Sequence, residues 1–173
     1  EVQRERLRTL LRRWTEVDPQ GAARWIDAQA YSPEQQEATL AVATAWAGQD
    51  FSGALDWVKQ WPEDVQQNGF LTVGFEAARK TPREALDLAG TLEEGEGRNR
   101  LTLFALKQWA GTDSASAIEW ADKLEQSPLR NQAFADIAVG MSEKDPVAAG
   151  KLAIEKLEPG EEQGRAVVSI VQR

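Results

Sequence analysis

The chain has 173 residues, 42% of them apolar, which is enough to bury the core of one ordinary domain and too apolar for a disordered chain. Twenty Lys and Arg against 28 Asp and Glu leave a formal charge of −8, which opposes a nucleic-acid backbone or an anionic membrane over most of the surface. With no Cys and no His, disulfides, thiolate nucleophiles, histidine-assisted triads and the usual zinc sites are excluded, and no apolar stretch reaches the length of a membrane span.

The first helix is expected over residues 2–15. Residues 1–14 hold five Arg against two Glu, a local charge of +3 against −11 for the remaining 159 residues. Arg4, Arg8 and Arg12 follow one another at i, i+4 and i+8, so they share one face, which is a candidate contact for an acidic partner. The bland reading of that face is a solvated or salt-bridged surface. Asp18-Pro19 then marks a helix start, with Asp as N-cap and Pro at the first helical position. Ser32-Pro33-Glu34-Gln35 is a capping box that opens a longer helix carrying Val42 and Trp46 on one stripe.

From here the pattern recurs. Trp14, Trp46, Ala77, Trp109 and Met141 follow at steps of 32, 31, 32 and 32, and Trp25, Trp57, Leu88, Trp120 and Leu152 keep the same steps. So do Asp18, Asp50, Thr81, Asp113 and Asp145, with Ala22, Ala54, Ala85, Ala117 and Ala149 four residues after each. Within each unit a short helix bears apolar residues at i, i+3, i+4 and i+7, as in Ala54, Trp57, Val58 and Trp61, and a longer helix follows. Thr81 with Glu84 forms a further capping box, and Pro62 and Pro128 punctuate the turns. Neither helix hides its stripe alone, so neighbouring pairs have to stack.

The reading is one repeat domain over 1–173, with helix pairs beginning near 18, 50, 81, 113 and 145 after a half-repeat over 1–17. The chain begins at Glu1 and its end helices break off within the pattern, so it reads as a piece of a longer array. The apolar stripes left open at those ends predict weak self-association.

The run Asp18-Pro19-x-x-Ala22-x-x-Trp25 resembles the junction between tetratricopeptide repeats, although the period is near 32 residues where that family has about 34. The whole chain is similar to TPR-like or HEAT-like α/α arrays and to Trp- and Asp-Pro-containing repeats of bacterial proteins. The expected fold class is all-α, a right-handed α/α superhelical solenoid of helix–turn–helix repeats. The resemblance implies a non-enzymatic scaffold for a protein or peptide partner. The alternative is a helical accessory domain of a larger enzyme, such as a wall-active or processing enzyme. A chain without Cys suits a bacterial cytoplasm or periplasm equally.

The candidate sites are few. Residues recurring at fixed phase serve what every unit needs, so the six Trp on the tracks are assigned to the core and the recurring Asp to caps. Gly95-Glu96-Gly97-Arg98-Asn99-Arg100 reads as a flexible turn, since no strand precedes it, and Glu93, Glu94 and Glu96 as a solvated acidic turn. No catalytic residue, cofactor or metal site is assigned, and neither nucleic acid nor membrane insertion is expected. Function in such an array resides in residues that break the repeat. These are Arg4, Arg8 and Arg12, together with the only Tyr, Tyr31, and Trp61, which replaces Leu on its track. The first reading of the two aromatics is as packing variants, although they stand near an inter-repeat turn, where an interface would also use them.

Overall fold

The computed structural model describes the backbone of residues 2–29 and 33–172 and the side chains of residues 6, 7, 9–29 and 35–172. The described residues form eleven helices and no strand. They group into two compact units, 1–80 and 81–173. The first holds α1 (Val2–Val17), α2 (Pro19–Asp27), α3 (Pro33–Ala47), α4 (Phe51–Val58) and α5 (Glu63–Ala77). Its middle helix, α3, packs against the other four. The second holds α6 (Pro82–Thr91), α7 (Glu96–Thr112), α8 (Ser114–Asp122), α9 (Pro128–Met141), α10 (Pro146–Lys156) and α11 (Glu161–Val171). There α9 takes the middle place, packed against α7, α8, α10 and α11, while α6 packs on α7. Among the described residues no helix is long and apolar enough to cross a membrane.

The short helices start where the acid track predicts. Asp18, Asp50, Asp113 and Asp145 have nearly the same backbone angles, φ between −144° and −141° and ψ between 81° and 93°. Each carboxylate accepts a hydrogen bond from the amide three residues on, at 2.8 Å from Gly21, 3.0 Å from Gly53, 3.1 Å from Ser116 and 2.9 Å from Ala148. One of the amide donors that a helix start leaves without a partner is thereby satisfied in each copy. Thr81 holds the same place at the start of α6, but its side chain makes no capping hydrogen bond, so the capping box with Glu84 is not formed. The box at Ser32 lies outside the described residues. Ser127 supplies a cap for α9 instead, accepting from the amide of Arg130 at 3.3 Å.

The small-residue track explains how close the short helices come to their neighbours. Ala22, Ala54, Ala85, Ala117 and Ala149 are all fully buried. The stripes of the long helices show which neighbour covers which side. In α3 and α9 the pairs Val42-Ala43 and Ile137-Ala138 are buried completely. In α1 the equivalent pair is split, Leu11 buried and Leu10 59% exposed, and in α11 it is split the other way, Ile170 buried and Val171 79% exposed. The first residue of each pair is therefore covered from the N-terminal side and the second from the C-terminal side.

The Trp track corrects the expectation of six core residues. Trp46 and Trp57 are buried, Trp14, Trp109 and Trp120 are half-buried, and Trp25 is 37% exposed. A fixed phase sets the direction of a side chain, whereas its depth depends on how much neighbouring helix lies over it, and an indole is too large to be covered by one small residue. Trp14 and Trp25 meet at a centroid distance of 6.4 Å with their planes tilted by 54°. The glycine-rich run is corrected too: the turn ends at Gly95, and Glu96 to Arg100 form the first turns of α7.

Candidate functional site

Each unit has an open groove, and the two grooves fall at the same phase of the sequence repeat. In the first unit a groove of about 790 Å³ crosses α1, α3 and α5 and is lined by Thr9, Arg12, Glu16, Ala41, Thr44, Ala45, Gly48, Gln49 and Glu76. In the second, one of about 350 Å³ crosses α7, α9 and α11, with Leu103, Gln132, Ala135, Asp136, Val139, Glu162 and Arg165 among its lining. Thr9, Ala41 and Asp136 all stand nine residues before a helix-capping acid, and Arg12, Thr44 and Val139 all stand six before one. Unlike the Trp, Asp and Ala tracks, these positions do not recur in kind. The seam is thus built from constant residues and the groove from variable ones, a signal the sequence carried but one that a search for recurring residues passes over.

The first groove has a floor of small side chains and charged walls. Ala41, Ala45 and the following Gly48 leave the backbone at the floor open, while Arg12 and Glu16 stand on α1 and Glu76 on α5. Arg12 is exposed and makes no ion pair among the described residues, so its guanidinium is available to a carboxylate. Lys80 donates from Nζ to the carbonyl of Gly48 and ties the end of this unit back to the turn after α3.

The second groove carries a titratable feature. Burial raises the Asp136 carboxyl above its ordinary value; Lys107, 3.9 Å away, pulls it back, and Glu162 adds to the rise. In the caps, by contrast, the Asp113 carboxyl is lowered by hydrogen bonds from the Ser116 hydroxyl and amide, with burial opposing and the Ala115 amide assisting. The side chains of Arg4 and Arg8, and Tyr31 altogether, lie outside the described residues. Arg12 is therefore the member of the basic face that the structure places, and it lines the first groove.

Trp61 lies elsewhere, in a pocket of about 120 Å³ between α2, α3 and the start of α5, bounded by Asp27, Gln35, Thr39, Leu40, Trp61 and Val65 among others. Trp57 donates from Nε1 to Oδ2 of Asp27 at 3.1 Å, and its ring meets Trp61 edge to face at 5.0 Å and 90°. Trp61 is half-buried, and its Nε1 is buried with no hydrogen-bond acceptor among the described residues. The other edge of its ring rests on Gly69 of α5, where a Cβ would collide with Cζ3 and Cε3. Arg12 and Trp61 thus belong to two separate concavities of one unit.

In comparisons with known proteins, no family model, no curated protein and no solved structure matches the chain.

Proposed function

We propose that the chain is a non-enzymatic α-helical repeat scaffold, a right-handed α/α superhelical solenoid of the TPR-like or HEAT-like kind, that holds a protein or peptide partner in the grooves of its long helices. The observation that carries this reading is the coincidence of phase: two grooves in two units open at the same repeat positions, where the side chains change from copy to copy. Recurring residues serve packing, and changing ones at a fixed phase supply specificity. The small floor and the Arg12 guanidinium suit an extended peptide with a carboxylate near α1.

The test is affinity selection of displayed peptides on the chain, followed by calorimetry of the selected sequences. Binding with a Kd of about a micromolar, lost in Thr44→Trp, which fills the groove, and weakened for acidic sequences in Arg12→Glu, is expected. Selection that yields no peptide at this concentration, or peptides indifferent to both substitutions, would overturn the reading.

The ends favour a second, weaker association. Leu10 and Val171 are exposed at positions that α3 and α9 bury completely, so the α11 end of one copy fits against the α1 end of another. Leu10→Glu and Val171→Glu should each sediment as monomers, and a mixture of the two should form a dimer through the one intact pair of ends. A mixture that stays monomeric excludes this contact.

A further inference from the structure

The pocket beside Trp61 has a filled counterpart in the same chain. The positions of Asp27, Gln35 and Thr39 recur 95 residues on, where Asp122, Arg130 and Phe134 stand. In the second unit Phe134 is completely buried. The Arg130 guanidinium lies 4.8 Å and the Lys156 ammonium 5.1 Å from its ring centroid. Both cations also bind Asp122, at 2.9 Å and 2.7 Å. An aromatic ring, a cation on its face and a carboxylate under the cation therefore form one closed arrangement.

In the first unit the carboxylate remains and the other two parts are missing. Thr39 stands where the phenyl ring is rooted, and its hydroxyl is turned to the Gln35 carbonyl at 2.8 Å. Gln35 stands where the guanidinium is rooted and donates to the carbonyl of Ile26 at 3.0 Å. Asp27 receives the Trp57 indole and makes no ion pair among the described residues. The space left over is the 120 Å³ pocket, walled by Leu40, Val65 and Trp61. A cavity of about 150 Å³ in another protein's core holds benzene, so a space of this size suits one aromatic ring.

We propose that this pocket is a subsite for an aromatic side chain with a cation beside it, presented by a basic segment of a partner polypeptide. The ring enters between Leu40, Val65 and Trp61, and the cation lies over it on the Asp27 carboxylate, as Arg130 lies on Asp122. Phe134 and Arg130 are four residues apart on one helix, so a partner helix with Phe and Arg at that spacing supplies both groups at once. This subsite is independent of what the long-helix grooves hold, because its probe is too small to span a groove, and its failure leaves the groove reading standing.

The experiment is a titration of the intact chain with phenethylammonium, followed through the indole N–H resonances, with those of Trp57 and Trp61 assigned by Trp→Phe variants. A saturable shift of both is expected, with a Kd of about a millimolar for so small a ligand. Phenylacetate, which carries the wrong charge for Asp27, and ethylammonium, which lacks the ring, should bind at least about tenfold more weakly. Asp27→Asn should bring phenethylammonium down to the affinity of neutral phenethyl alcohol. Thr39→Phe, which supplies the ring from within, should abolish the shift and raise Tm, and Gln35→Arg, which supplies the cation, should weaken the ammonium ligand at an unchanged helical circular-dichroism signal. A chain that shows no saturable shift, binds phenylacetate equally well, or binds undiminished in both Thr39→Phe and Gln35→Arg overturns the proposal.

Discussion

At two of three equivalent places the two halves of the chain made different choices. The second half closed the space between its helices with Phe134 and bound two cations to Asp122 over the ring. The first kept the acid, put Thr39 in place of the ring, and gave the aromatic role to Trp57 and Trp61 on the other wall. The backbone frame is the same in both, with a capped short helix laid on a long one, so the frame alone does not decide whether the space between helices is core or cavity. The side chains set on it do, Thr39 and Phe134 foremost.

The comparison breaks most readily at its filled end. Phe134→Thr makes the second unit resemble the first, and it should cost about 3–5 kcal/mol in urea unfolding, because it removes a completely buried ring and leaves Arg130 and Lys156 with nothing beneath them. A loss below about 1 kcal/mol would mean that the ring is not the keystone of this unit.

A difference nearly as large separates two Trp on one track. Trp57→Ala, at a buried indole hydrogen-bonded to Asp27, should cost about 3–5 kcal/mol, and Trp25→Ala, at an exposed one, about 1 kcal/mol. Equal losses in thermal melts would show that the phase of a Trp sets its contribution and that its burial does not. Smaller and equal effects are expected from the caps of the two units. Asp18→Ala and Asp145→Ala should each cost about 1 kcal/mol, since both carboxylates make the same bond at the same backbone angles.

The smallest effect belongs to Asp136, which has no acidic counterpart in the first groove, where Thr9 and Ala41 stand. Its carboxyl is raised in the folded state, so the folded chain holds this proton more firmly than the unfolded chain does. The contribution is then favourable at low pH and is lost as pH rises from the ordinary carboxylate value through the raised one. Asp136→Asn should match the wild type below the ordinary carboxylate range and become more stable at neutral pH, by about 0.5 kcal/mol or less given the exposure of the site and the loss of Lys107 as a partner. A variant less stable than the wild type at neutral pH would show that the Lys107 ion pair outweighs burial.

The frame was legible in the sequence because caps are local chemistry. Asp18, Asp50, Asp113 and Asp145 each mark a helix start to the residue, and the Ala track four positions later marks the contact with the long helix. The first helix runs two residues past its expected end, to Val17, because nothing in Thr15-Glu16-Val17 opposes helix before the cap. The burial of the Trp was not legible, since depth is a property of the neighbouring helix and not of the period. Nor was the pocket. A cavity is the absence of a side chain, and Thr39 draws no notice until it is set beside Phe134. The signal was present all the same: Thr39 has Asp27 twelve residues earlier, whereas Thr102, also small, has Gly90 at that position.

Gly140 gives the two units different mechanics. A Cβ there would run into the carbonyl oxygen of Lys107, so α9 rests on α7 with backbone against backbone. In the first unit Glu76 stands at the place of Gly140, and a Cβ on Gly48, the counterpart of Gly111, would meet its side chain at 3.3 Å. Flexible side chains let one helix slide past another by changing rotamer, whereas a backbone carbonyl wedged against a glycine has no such freedom. The contact of α9 with α7 therefore leaves no room for a side chain at Gly140, whereas at Gly48 the Glu76 side chain can turn aside.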